Sequence, residues 1–206
     1  EAQSTAEDTS LTITLSATDV ENNSLTYSAV SDISDVGVSV SGDQLTMTPV
    51  LNYHGSVNIT VTVGDGFLTA EGSFGLTVTP VNDSPTMELP DGFTFAEDGS
   101  LEKDFTSYIG DVDGDDLTLT ASDTVNVTVD IVGFVVTFGA VSDSNGTEMI
   151  TFTVDDSQGR LVASDSLSIT VTPVNDAPVL TVPEAQSTAE DTPLTITLSA
   201  TDVENN

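Results

Sequence analysis

The chain has 206 residues, no cysteine and a formal net charge of −32, with 34 acids set against only Lys103 and Arg160. That balance argues against nucleic acid and anionic membrane surfaces as partners, because phosphate contacts need the opposite sign. The missing cysteines rule out disulfides and thiolate metal sites, and no run of 18 apolar residues offers a membrane-spanning helix.

In chain order, the first strand signals are LTITLSAT (11–18), LTYSAV (25–30), VGVSVS (36–41), QLTMTP (44–49), VNITVTV (57–63) and FGLTVTPV (74–81). Each alternates apolar with small polar residues, and Gly, Asn, Asp or Pro punctuates them every eight to twelve residues. The pattern returns as LTLTAS (117–122), VNVTVDIV (125–132), FVVTFG (134–139), MITFTVD (149–155) and LSITVTPV (167–174). No segment carries a 3.6-residue apolar period. Such spacing predicts an all-β chain built of seven-strand β-sandwiches.

Repeats organise the chain. The phrase TVTPVNDSPTM at 77–87 returns as TVTPVNDAPVL at 170–180, and residues 1–23 return at 184–206 with one change, Ser10 to Pro193. The second unit matches the opening segment less well, so the repeating object is a two-domain cassette of 183 residues. The expected organisation is a sandwich over 1–84, a second over 85–177, and the opening strands of a third, incomplete repeat over 178–206. By itself that remnant is too short to bury a core. It is expected to be loose, stacked on the second domain or exchanged into another molecule, and the chain reads as a piece of something longer.

Aligning the units places acids at matching positions in four loops. Glu7 and Glu97 lie in AED triplets, with Glu190 a third instance. Asp19 and Glu21 match Asp111 and Asp113, and then Asp202 and Glu204. Asp65 matches Asp156, and the connector pair Asn82 and Asp83 matches Asn175 and Asp176. Loops at one end of a sandwich cluster in space. Carboxylates gathered there at ~5 Å repel by about 3 kcal/mol per pair at an effective dielectric near 20, so the arrangement calls for a counter-cation. Many oxygen donors without repeated His or any Cys point to Ca²⁺ rather than a transition metal.

These motifs resemble cadherin repeats. LSATDVENNSLTYSAV is similar to the cadherin opening, VTVGDGFLTAEGSFGLTVTPVNDSP to its close, and AED stands where cadherins carry a glutamate motif. The tandem cadherin-like repeats of large bacterial (RTX-type) surface adhesins are the nearest resemblance, their VNDAP phrase standing at 174–178. The resemblance implies tandem Ig-like or cadherin-like Greek-key sandwiches arranged end to end, with Ca²⁺ bound where they join. At a first junction the implied ligands are Glu7, Asn82, Asp83, Asp111, Asp113 and Asp156. At a second they are Glu97, Asn175, Asp176, Asp202 and Glu204. Asp19, Glu21 and Asp65 would face a preceding domain and bind poorly in this chain. Cadherins carry an acidic motif ahead of the penultimate strand, whereas here Leu51-Asn52-Tyr53-His54 stands in that place. Asp143 aligns with Asn52 and restores one carboxylate in the second unit, so one or two ions per junction are expected.

Blander readings account for other residues. Asp32, Asp35, Asp43 and Asp91 read as ordinary surface acids. DVDGDD at 111–116 lacks an EF-hand's closing glutamate, Ser122 standing at its twelfth position. His54 reads as a turn residue, and carboxylate pairs repeated in each unit do not suit a glycosidase. The five Asn-x-Ser/Thr sequons carry no functional weight, and aromatic residues are too sparse for a sugar platform. The expectation is therefore a non-enzymatic, secreted or cell-surface module. Its foremost reading is a calcium-rigidified extender whose partners are neighbouring repeats of the same chain. The alternative is a calcium-dependent binding module for polysaccharide or for a second adhesin copy, in cell–cell or biofilm adhesion. Direct membrane insertion is not expected.

Overall fold

The computed structural model describes residues 1–159 and 162–203. The chain divides into two compact units, Glu1–Asp83 and Ser84–Asn206.

Unit 1 is a two-sheet sandwich. Its strands are β1 (Gln3–Ala6), β2 (Leu11–Thr14), β3 (Thr26–Ser31), β4 (Val36–Ser41), β5 (Gln44–Pro49), β6 (Gly55–Gly64) and β7 (Thr69–Thr79). One sheet runs β1-β7-β6-β3 and the other β2-β5-β4. The period-two pattern sets the faces: in β5, Leu45 and Met47 are fully buried while Gln44 and Thr48 point outward. They join Val36, Val57, Ile59, Leu76 and Val78 in the core.

Unit 2 repeats the plan. After the short β8 (Thr86–Met87) come β9 (Gly92–Ala96), β10 (Ser100–Asp104), a 3₁₀ turn at Thr106–Tyr108 and β11 (Ile109–Gly110). The remaining strands are β12 (Thr118–Ala121), β13 (Val127–Val132), β14 (Val135–Ala140), β15 (Gly146–Asp155), β16 (Val162–Thr172), β17 (Val179–Thr181) and β18 (Ser199–Thr201). The large sheet is β12-β15-β16-β9, the other β10-β14-β13, and β8 pairs with β11. Phe105, Phe138 and Phe152 fill its core, the Phe105–Phe152 centroids lying 5.0 Å apart. In both units the first strand of the large sheet runs parallel to the last, β1 on β7 and β9 on β16. A β-carbon at Gly92 would lie 2.2 Å from the Ser168 carbonyl oxygen, so this close approach of β9 to β16 needs glycine.

The polar 3₁₀ turn lacks the apolar period by which helices are read from sequence. The predicted strand at 11–18 ends at Thr14, leaving Leu15–Asp19 irregular.

Candidate metal centre

The loop between β11 and β12 holds the densest group of acids. Asp111 opens it by folding the chain back on its own side chain: Oδ1 accepts from the Gly114 N–H at 3.0 Å and from the Asp115 N–H at 3.3 Å. Gly114 takes a φ of 76°, which a glycine tolerates freely. The turn draws ligating oxygens of Asp111, Asp113 and Asp115 to within 4.8 Å of one another, the single such group of three among the described residues. Asp111 Oδ2 is buried and accepts no hydrogen bond. Asp156, 1% exposed, accepts from the Gln158 N–H through Oδ1 at 2.8 Å. Burial first, then the negative charges of Asp111, Asp113, Asp156 and Asp116, push the Asp115 carboxyl above the usual range. A buried oxygen without a donor, among carboxylates that repel one another, is the environment a hard cation relieves. The donor set fits Ca²⁺.

Unit 1 has the corresponding loop in weaker form. Asp19 Oδ1 accepts from the Asn23 N–H at 2.8 Å, and Asn22 holds the left-handed position at a φ of 60°. Asp19, Glu21 and Asp65 line one cleft of about 340 Å³. The Leu68 and Phe67 N–H groups, both 2.7 Å from Asp65 Oδ1, hold the Asp65 carboxyl below the usual carboxylate range. Asn23 and Ser24 stand where unit 2 has Asp115 and Asp116, so this loop has two carboxylates fewer.

The two AED glutamates form a second arrangement, built alike in each unit. Glu7 is 3% exposed; its backbone N–H donates to the Thr79 carbonyl, and its Oε1 accepts from Val81 N–H at 2.6 Å. Glu97, 7% exposed, does the same with the Thr172 carbonyl and with Val174 N–H at 2.6 Å. Each thus clasps the connector leaving its own sandwich, just before Asn82–Asp83 and Asn175–Asp176. In those pairs the Asn Nδ2 donates to the Asp carbonyl, at 3.0 Å and 2.8 Å. Asp83 and Asp176 both bury Oδ2.

The loop ahead of the penultimate strand reaches these glutamates without an acid. His54 Nδ1 lies 3.8 Å from Glu7 Oε2, and Asn145 Nδ2 donates to Glu97 Oε2 at 3.4 Å. Asp143 itself is exposed in a turn, at a φ of 56°. Asp202 is half-buried directly after β18, and Glu204 lies outside the described residues. Asp115 is the residue that alignment of the units overlooked. Four acids among six residues at 111–116 were its signal.

The cadherin-like domain family matches residues 1–79, and the bacterial Ig domain family matches residues 82–172. A search of the curated proteins found no match. Among solved structures, human protocadherin-24 EC1-2 superposes with a TM-score of 0.53 at 17% identity, over 78% of this chain and 88% of that one. The protocadherin gammaB4 extracellular domain gives 0.53 at 16% identity, over 98% of this chain and 36% of that one. A family 107 endo-fucoidan hydrolase aligns at 17% identity with a TM-score of 0.37; it covers 84% of this chain, which spans only 28% of that enzyme. Domains of both matched families are typically extracellular and non-enzymatic, and among the described residues no helix is long and apolar enough to cross a membrane. Two kinds of adhesion or extender domain, cadherin-like and bacterial Ig, are thus detected one after the other in this chain.

Proposed function

We propose that the chain is a calcium-rigidified extender of a secreted or cell-surface adhesin, with sandwich domains over 1–84 and 85–177 and the start of a third at 178–206. The observation that carries this reading is Asp111, whose Oδ1 is fixed by two backbone donors while the buried Oδ2 lacks one, with Asp113 and Asp115 close by. Asp111, Asp113, Asp115 and Asp156 would hold the ion, which supplies the positive charge that these carboxylates otherwise lack. Glu7, Asn82 and Asp83 would complete a joint with the preceding domain, and Glu97, Asn175, Asp176 and Asp202 the next. The AED clasps fix where each connector leaves its sandwich, so an ion held there stiffens the exit. Asp19, Glu21 and Asp65 would serve a repeat placed before this one.

Because an ion binding only the native state adds RT ln(1 + [L]/Kd), firmness follows calcium supply. Extracellular calcium modules work at dissociation constants of about 10⁻⁴–10⁻³ M, so the module is firm outside cells and slack where calcium is scarce. Calorimetric titration with calcium, paired with X-ray scattering before and after chelation, tests this. Saturable binding with a change of dimensions is expected; no heat and unchanged scattering would refute it.

A further inference from the structure

Asn145 is the sole asparagine of this chain followed by glycine, in the stretch Ser144-Asn145-Gly146-Thr147. That pairing has its own chemistry. The backbone nitrogen of the following residue can attack the side-chain amide carbon, and the β-carbon of any residue but glycine obstructs the approach. Asparagine is accordingly among the thermolabile residues. The structure leaves the approach open here. Asn145 is exposed and lies outside any strand, and a β-carbon on Gly146 would meet nothing within 4 Å. Gly146, at a φ of 122°, forms with Val171 the terminal pair of the β15–β16 ladder, where pairing frays most readily.

The same side chain has a structural task. Its Nδ2 donates to Glu97 Oε2 at 3.4 Å, while Glu97 Oε1 accepts from the Val174 N–H. In unit 1 the residue before the penultimate strand again brings a nitrogen to the AED glutamate, His54 Nδ1 lying 3.8 Å from Glu7 Oε2. Each clasp therefore sets a nitrogen against the carboxylate oxygen that the connector leaves over. In unit 2 that nitrogen belongs to an amide ahead of glycine; in unit 1 it belongs to an imidazole, which cannot lose it.

We propose that Asn145 is a self-modifying site: its deamidation loosens the connector clasp of unit 2 with age, while the clasp of unit 1 is spared. The Gly146 nitrogen bonds to the Asn145 Cγ, the Cγ–Nδ2 bond breaks, and Nδ2 leaves as ammonia with the Gly146 amide proton. Water then opens the succinimide ring at either carbonyl, leaving an aspartyl or an isoaspartyl linkage. Either product exchanges a hydrogen-bond donor for a carboxylate beside Glu97, so attraction becomes repulsion. The isoaspartyl product also lengthens the main chain just before β15. Water is the single co-reactant.

The test ages the full chain in mildly alkaline buffer, sampled by peptide mass mapping with isoaspartyl detection and by hydrogen exchange. Chelator keeps ions away from Glu97, so the outcome does not turn on calcium. Asn145 should convert ahead of every other asparagine, with ammonia released in step. Exchange at the Val174 amide should quicken by about tenfold as conversion completes, the factor that loss of a hydrogen bond to a charged group gives. The Val81 amide, held by Glu7, should keep its rate. Asn145→Gln retains an amide but closes the ring far more slowly, and should hold its Val174 rate through the same ageing. Asn145→Asp should show the quickened rate from the start. The position is exposed, so both variants should keep the wild-type circular dichroism. Another asparagine converting first, a wild-type Val174 rate in Asn145→Asp, or equal ageing of that amide in Asn145→Gln overturns the proposal.

Discussion

Replacing Asp111 with Asn should reverse its effect on stability according to whether calcium is present. The amide keeps Oδ1 as acceptor for the Gly114 and Asp115 N–H groups, so the loop stays folded. At the Oδ2 position it replaces a buried oxygen that lacks a donor with an NH₂ that can donate to the neighbouring carboxylates. A buried unsatisfied polar group costs about 1–3 kcal/mol, so relief of about 1 kcal/mol is expected in chelator. For a domain of this size that raises the melting temperature by about 4–8 °C. With calcium at a hundredfold excess over its dissociation constant the wild type gains about 2.7 kcal/mol. The variant forgoes most of that, having lost a charged ligand. Differential scanning calorimetry should therefore rank the variant above the wild type in chelator and below it in calcium. If calcium leaves the wild-type transition unmoved, or if one ranking holds in both buffers, the metal-centre reasoning is wrong.

Truncating Phe152 to Ala should cost about 3–5 kcal/mol, because the ring is fully buried against Phe105 and Phe138; chemical denaturation would measure it, and a cost below 1 kcal/mol would contradict the packing. Glu97→Ala removes the carboxylate that accepts the Val174 N–H and should cost about 1.5–3 kcal/mol. Hydrogen exchange at the Val174 amide should quicken at the same time. The N–H groups of Leu89 and then Ser166 hold the Asp165 carboxyl below its ordinary value. A depressed carboxylate contributes stability above its unfolded pKa, near 3.9, and loses it as pH falls through the folded value. Asp165→Asn should thus be less stable than the wild type at neutral pH, and the gap should close in acid. A gap that widens below pH ~4 would reverse the sign of this assignment.

The inward-facing strands were legible because alternation records which face is buried. QLTMTP was read at the same bounds, 44–49, that β5 occupies. Strand β1 escaped that reading for a different reason. QSTA at 3–6 is mostly polar and is held by a parallel ladder to residues more than 70 positions away, which no local pattern reports. Repetition located the AED glutamates and the Asp-x-acid loops, since chance does not place four matched acids twice in the same order. The same method passed over Asp115, whose counterpart is Asn23, and it could not foresee that His54 and Asn145 approach the glutamates. Their reach depends on the loop ahead of the penultimate strand folding back toward the start of the sandwich, which is a tertiary event.

The parallel pairing of first and last strands has a mechanical meaning. In unit 2, five residue pairs from Gly92–Ser168 to Ala96–Thr172 join the strand by which the chain enters to the one by which it leaves. Tension applied through the two ends drags these strands past each other lengthwise, so the cross-links between them are loaded together and must break together. Had the terminal strands been antiparallel neighbours, the same pull would peel them apart one link at a time. A tether anchored at one end and gripping at the other would thus resist flow through its backbone geometry alone, before any ion is counted.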